Sequence, residues 1–528
     1  MKAGRKIMFF AIIAAAVFSA CNDSADITDN KPTIVSVSVV PDDNESPTTE
    51  LILTLSGEIP GLTAEEIHII ADFPVIKGAL AQEKDTAIYK LPITPGDSGY
   101  IKIGLSPYSF TNWKIETVEV IADIFTLGLT SRLIITGYNG PEGESVVIPQ
   151  EMNGRAVTAI GKIAFRNKNL TSVDIPDSVE FIGDSAFAYN QLTCINLPSS
   201  VEFIMDSAFA NNQLTSVVIP PGLTDIASSV FENNQLTNID IPVDVKFIRD
   251  FAFANNQLTS IDIPDDVEYL SGFNSNQLTD IRIPDSVTTI GMGAFSRNQL
   301  KKVFIPDGVT VIEGNAFAYN QLTSVVIPSR IDIIETSAFA YNQLINVDIP
   351  DSVTAIGASA FASNQLKDIY IPHNVVTIGA TAFAYNRLES IDIPEPVTSI
   401  GVGAFAYNQL ETLDIPDNVV TIGGSAFAYN KLIRINISDS VTTIGVSAFR
   451  GNQLADVTIP DTVTIIMDSA FVENPLISVT IGAGVAFRGT PFGSGFEPFY
   501  NKGKKAGIYT RPNPTSSDWT RTELPEDD

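Results

Sequence analysis

A chain of 528 residues is too long for one compact core, so several domains or a repeat array is expected. With 44% apolar and 18% charged residues it is folded material, which excludes a disordered acidic tail. A formal net charge of −29 gives a surface that repels nucleic acid and anionic lipid headgroups, which excludes a nucleic-acid partner.

At the start of the chain Lys2, Arg5 and Lys6 precede the apolar run MFFAIIAAAVFSA. A positive segment followed by a short hydrophobic one marks an export signal over residues 1–20, and it stops too early to span a bilayer. The signal ends in Phe18-Ser19-Ala20-Cys21, which resembles the lipobox of bacterial lipoproteins, with Phe18 where leucine is usual. The resemblance implies that Cys21 is diacylated, becomes the mature N-terminus and holds the protein at a membrane through its lipid. Residues 21–31 then form the lipidated end and an acidic linker, DSADITDN, that acts as a solvated spacer. With Cys21 acylated, Cys194 has no partner, and the exported protein is expected to be stable without disulfides.

Residues 32–122 contain short β-branched runs, TIVSVSVV, ELILTL, IHIIAD, AIYKLPI, YIKIGL and TVEVIAD, separated by turn-rich stretches. Their number and spacing predict a small all-β, Ig-like sandwich, although the Cys…Trp…Cys spacing of true immunoglobulin domains is missing. Residues 123–169 read as an N-terminal cap with an atypical first repeat.

From Leu170 the register locks. Leucines recur at 170, 192, 214, 236 and 258, then at 278 and every 22 residues to 476, which makes fifteen coils with a single two-residue deletion. The coil is L-x-x-V/I-x-I-P-x-x-V-x-x-I-G-x-x-A-F-x-x-N-x. In the first copy Leu170, Val173 and Ile175 predict a short strand that Pro176, lacking an N–H, terminates. Val179, Ile182, Ala186 and Phe187 resume at spacings of three and four, which predicts a short helical or 3₁₀ return. The expected class is therefore a mixed α/β repeat, a solenoid with one parallel strand per coil over residues 170–481, closed by a C-terminal cap at 482–528.

Phenylalanine recurs from Phe165 to Phe471, and one coil can bury such a ring only against the next. Asparagine holds its place in every coil, as at Asn190, Asn212, Asn320, Asn342 and Asn408, while the following residue drifts from Gln191 to Arg387 and Lys431. An amide both donates and accepts, so these asparagines are expected to form a structural ladder inside the stack, with the drifting neighbour exposed.

The pattern resembles the BspA-like leucine-rich repeats of bacterial surface proteins, whose coils read L-x-x-L-x-L-P-x-x-L-x-x-I-G-x-x-A-F-x-x-C. The match runs over residues 126–481; the period of 22 is one shorter than is common in the family, and Asn stands in place of Cys. The resemblance implies a curved solenoid displayed at a cell surface, with members implicated in adhesion to host matrix proteins, host cells and other microbes. It brings no catalytic residues.

The residues themselves offer little chemistry. His68 and His373 are the only histidines and lie in different predicted domains, and Cys194 has no base in register beside it. Acidic residues repeat after the strand proline, at Asp177, Asp285, Asp307 and Asp351 among others, without the Gly-rich pattern of a calcium β-roll, and read as turn residues. No enzyme, metal site or cofactor is expected.

A sheet of fifteen strands would be about 70 Å long, suited to a macromolecule. One outward column, four residues after each leucine, is mostly polar but is broken by Arg282, Phe304, Val326 and Tyr370. These four residues read either as an interface or as harmless drift among copies. A second column, two residues after the phenylalanine, carries Tyr189, Tyr319, Tyr341, Tyr385, Tyr407 and Tyr429, which serve either a protein or glycan contact or their own stacking. The expected function is non-enzymatic adhesion by a lipoprotein at the outer-membrane cell surface, with a host matrix or surface protein as partner. The alternative is an envelope or periplasmic scaffold that holds bacterial proteins or polysaccharide.

Overall fold

A computed structural model describes strand backbone within residues 34–123 and, with side chains, residues 133–524 apart from a few between 140 and 154 and residue 494. The chain divides into two compact units, Met1–Leu223 and Thr224–Asp528. Cys21 lies outside the described residues.

In the first unit Ile34–Pro41, Thr49–Leu55 and Ile88–Pro95 pair antiparallel, and Tyr100–Leu105 pairs antiparallel with both Ile67–Ala71 and Val120–Asp123. Two antiparallel sheets do not by themselves support the Ig-like sandwich expected for residues 32–122, because a sandwich is defined by faces packed on one another. Trp113–Ile115 lies antiparallel to Leu133–Tyr138, which runs parallel to Arg155–Ile160. From there the ladder continues parallel through Phe181–Ile182 to Phe203–Ile204.

Each unit carries coils of a parallel β-solenoid, about sixteen turns counted over the two. In the second unit strands of two or three residues repeat in register from Asp225–Ile226 to Val311–Ile312 and from Ile333–Ile334 to Ala486–Arg488. These strands fall on the V-x-x-I segment, where a helical return was expected. Among the described residues the one α-helix is Phe496–Tyr500, in the C-terminal cap. The mixed α/β class is thus corrected to an essentially all-β solenoid.

The local reason lies in the hydrogen bonds. Ala186 donates to the Gly183 carbonyl and Ala188 to that of Ser185, so the segment makes two successive turns. Ser185 and Tyr189, at φ 52° and 58°, are left-handed, which interrupts any helix. Ser185, Phe187 and Tyr189 donate their N–H groups forward to Asp206, Ala208 and Ala210 of the next coil, so those groups cannot serve an i→i−4 ladder. Tandem turns reproduce the three-and-four spacing of a helix while spending their donors between coils.

The L-x-x-V-x-I side is less regular than the single strand expected there. It pairs as strands at Ser145–Val147 with Ser172–Asp174, at Thr412–Asp414 with Arg434–Asn436, and at Asp456–Ile459 with Ser478–Ile481. Elsewhere it makes single bridges, Asp174 with Asn196, Arg282 with Phe304, and Val326 with Asp348. Few donors remain on this side, because the leucine N–H goes to an asparagine side chain and the proline has none.

The interior is a set of columns. Phe231 through Phe471 are at most 1% exposed and stack between coils at 5.2–6.0 Å, with Phe492 of the cap 5.0 Å beyond Phe471. In the first unit Phe165, Phe187 and Phe209 stack at 5.0 and 5.3 Å. Coils approach so closely that a Cβ on Gly401 would lie 2.6 Å from the carbonyl of Gly379. The second unit ends in an aromatic cluster of Phe487, Phe496, Tyr500, Tyr509 and Trp519, while Gly507–Thr510 pairs antiparallel with Ser478–Ile481 and covers that edge.

Candidate binding surfaces

The asparagines lie inside. The Asn342-type amides from Asn190 to Asn452 are at most 8% exposed, and each ties neighbouring segments together. Asn190 donates to the carbonyls of Phe165 in the preceding coil and Phe187 in its own, at 2.8 and 2.9 Å, and accepts from the Lys168 and Leu170 N–H groups at 3.0 Å. Asn212 donates to Phe187 and Phe209, Asn320 to Phe295 and Phe317, and Asn408 to Phe383 and Phe405. An amide so committed has nothing left for a ligand, and its role is to satisfy backbone groups that the turns leave unpaired.

The strand-face column points outward. Val325 and Ile327 are buried and Val326 between them is 67% exposed, the alternation of a half-buried strand. Phe304 is 70% exposed and Tyr370 57%. The bridge between Arg282 and Phe304 sets these two side by side, and Arg282 also pairs with Asp265 at 2.8 Å, which holds the guanidinium above its ordinary pKa. Tyr370 meets His373 edge-on at 6.0 Å. Exposed Lys301, Ile345 and Lys367 lie beside this column in the sequence pattern and were not among the expected binding residues. Their signal was the position one residue after the leucine, which is threonine in the early coils and, apart from Thr323, turns basic or apolar here.

The tyrosine column runs along the turn edge. Tyr319 and Tyr341 stack at 4.3 Å, and Tyr385, Tyr407 and Tyr429 at 4.5 and 4.7 Å. Tyr189, in the first unit, has Arg166 5.0 Å above its ring. All six tyrosines sit at φ between 55° and 58°, a left-handed conformation that costs an ordinary side chain about 1–2 kcal/mol. Stacking at about 0.5–1.5 kcal/mol per pair offsets part of this. Desolvation first, and the Tyr341 phenol next, push the Tyr319 hydroxyl above its ordinary pKa; desolvation, Tyr385 and Tyr429 do the same for Tyr407. The strand-face column and the tyrosine column are separate sequence positions of the coil.

The acidic column lies in turns. Val179 donates to the Pro176 carbonyl across Asp177 at 3.0 Å, and the same turn recurs as Val353 to Pro350 across Asp351. Among the described residues no three His, Cys, Asp or Glu side chains gather as metal ligands, and no helix is long and apolar enough to cross a membrane. Cys194 is an exposed free thiol.

Residues 158–273, 269–388 and 376–491 match the family described as BspA type leucine rich repeat region, and together these spans exceed half of the chain. The chain belongs to the BspA-type leucine-rich repeat family. Among solved structures this BspA-type chain is similar to a leucine rich cell surface protein from Faecalibacterium prausnitzii A2-165, with 22% identity over 76% of this chain and 97% of that one and a TM-score of 0.35. It is also similar to the pneumococcal vaccine antigen PcpA, with 21% identity over 71% and 94% of the two chains and a TM-score of 0.42. YopM from Yersinia enterocolitica WA-314 matches at 20% identity over 63% and 68%, with a TM-score of 0.45. No curated protein matches the chain. Each coil of this BspA-type chain supplies one rung of the core, and its asparagine position supplies a ladder of amides.

Proposed function

We propose that this BspA-type protein is a non-enzymatic adhesin, anchored through a lipid on Cys21, that holds a host matrix or surface protein against its strand face. The supporting observation is the outward column of Phe304, Val326 and Tyr370, large apolar groups more than half exposed in a chain whose net charge is −29. Aromatic and arginine side chains are the residues that anchor protein interfaces, and here Arg282 stands beside Phe304 on the bridged strands. An exposed column of side chains repeated coil by coil suits a macromolecule better than a small substrate, which favours a concave pocket. Residues 32–122 would serve as a β-rich spacer, Ig-like in architecture, between the lipid and the solenoid.

The test uses the double variant Phe304→Ala, Tyr370→Ala against immobilised host matrix proteins. Each removed anchor is expected to cost about 1–2 kcal/mol of binding, so affinity falls at least tenfold for any matrix protein that wild type retains. An unchanged unfolding midpoint shows that the loss is one of contact. Equal retention of the two proteins sinks the strand-face reading.

A further inference from the structure

The tyrosine column has one missing rung. The coil between the Tyr319–Tyr341 stack and the Tyr385–Tyr407–Tyr429 stack carries Ser363 at the equivalent position, and Ser363 is the one residue other than tyrosine in this column with tyrosine in both neighbouring coils. Its backbone matches theirs. Ser363 has φ 56°, against 56° at Tyr341 and 57° at Tyr385. The Ser363 N–H reaches the Ala384 carbonyl at 2.9 Å, as the Tyr341 N–H reaches that of Ala362 at 2.8 Å. The edge therefore runs through the gap in register, and a ring is all that is absent.

The outer ends of the two stacks are closed by cations. Arg297 lies over Tyr319 at 4.7 Å, and Arg450, itself ion-paired with Glu473, lies over Tyr429 at 6.0 Å. The inner ends are open: among the described residues, Tyr341 has no ring partner besides Tyr319, and Tyr385 none besides Tyr407. Exposure follows this pattern. Tyr341 and Tyr385 are 49% and 54% exposed, while Tyr319 and Tyr407, covered on both faces, are 40% and 43%.

Two coil steps place the facing rings roughly 9–10 Å apart. That is the room one more ring occupies at the 4.3–4.7 Å spacing this ladder already uses. We propose that the gap at Ser363, walled by the faces of Tyr341 and Tyr385, is an intercalation site for an aromatic side chain of a partner polypeptide. The lattice that sizes the slot is a lattice of phenol rings, so a phenol or phenyl ring is its natural filler. At the gap the column offers the Ser363 hydroxyl and the two phenols of its walls, with no carboxylate or amide at these three positions to take the paired hydroxyls of a sugar. The acidic surface selects a partner whose aromatic residue is flanked by lysine or arginine. This site uses neither Phe304 nor Tyr370 and stands or falls independently of the strand face.

The experiment titrates the full chain with p-cresol, the tyrosine side chain without its backbone, followed by saturation-transfer NMR. Wild type is expected to bind saturably with a dissociation constant of about a millimolar, the range open to so small a ligand. Ser363→Tyr fills the slot with a residue that five other coils of this unit already accept at this backbone position. It is expected to weaken p-cresol at least tenfold with an unchanged or raised unfolding midpoint. Tyr341→Ser, which removes one wall, is expected to weaken it as well. The acetylated tripeptide amide Lys-Tyr-Lys is expected to bind wild type more tightly than Glu-Tyr-Glu. Undiminished binding to Ser363→Tyr, or no saturable binding to wild type, overturns the proposal. Displacement of p-cresol by methyl β-glucopyranoside from wild type would reassign the slot to saccharide and overturn the polypeptide occupant.

Discussion

Truncating Phe339 to alanine is expected to lower the free energy of unfolding by about 3–5 kcal/mol, as buried aromatic truncations do. The ring is fully buried and stacks on Phe317 at 5.6 Å and Phe361 at 5.7 Å. A hole of that size is filled by collapse of its surroundings or not at all. Here collapse is opposed by the backbone, because the Phe339 N–H is bonded to the Ala360 carbonyl at 2.9 Å and its own carbonyl accepts from Asn342 and Asn364. Coil spacing is therefore held by hydrogen bonds on both sides of the missing ring, and the cost should fall near the upper end. In a nearly one-dimensional array the defect also weakens coupling between the coils on either side, so the urea transition should broaden as well as shift. A loss under about 1 kcal/mol would mean that the phenylalanine column is not what joins coil to coil.

The second large effect is expected at Asn342. Its amide donates to the Phe317, Phe339 and Ala340 carbonyls at 2.9, 3.2 and 3.3 Å and accepts from the Leu322 N–H at 3.0 Å. Asn342→Ala leaves buried groups in two coils without partners and should cost about 1–3 kcal/mol, while the exposed neighbour Gln343→Ala should change stability by less than about 0.5 kcal/mol. Urea denaturation of the two variants side by side measures the difference. Equal midpoints would show that water or relaxed backbone replaces the amide and that the ladder carries little of the stability.

Much of this architecture is legible in the residues because a repeat repeats its reasons. A residue held through every coil, such as the Asn190 series, must meet the same environment every time, and a ring such as Phe339 has nowhere to go but the next coil. What misleads is the stretch from Val179 to Phe187. Apolar positions three and four apart satisfy a helix and a pair of tandem turns equally well, and periodicity alone does not separate them. The separating signal was present in the residues that share the Tyr189 position, namely Asn211, Asn233, Asn255 and Gly451. Those types favour left-handed backbone, whereas tyrosine, which does not, obscures the pattern. The strand proved sparse for a related reason: the asparagine ladder takes the leucine N–H that a sheet would have used.

The outward columns were legible as positions but not as surfaces. Alternation around Val326 places Phe304 and Tyr370 outside, yet which rings meet is decided by the spacing and tilt of the coils. The arginines that close the tyrosine stacks illustrate the difference. Arg297 stands in the tyrosine column itself, but Arg450 comes from the neighbouring position and reaches Tyr429 through space. Likewise the gap at Ser363 is visible in the letters, while its meaning depends on the stacked geometry either side of it.

The measurement that bears most directly on the adhesin reading is protease accessibility of the solenoid on intact cells, compared with lysed cells. Digestion on intact cells, with the strand face outside, is the predicted result. Protection until lysis would contradict it, remove host proteins as ligands and leave a scaffold facing the interior of the envelope.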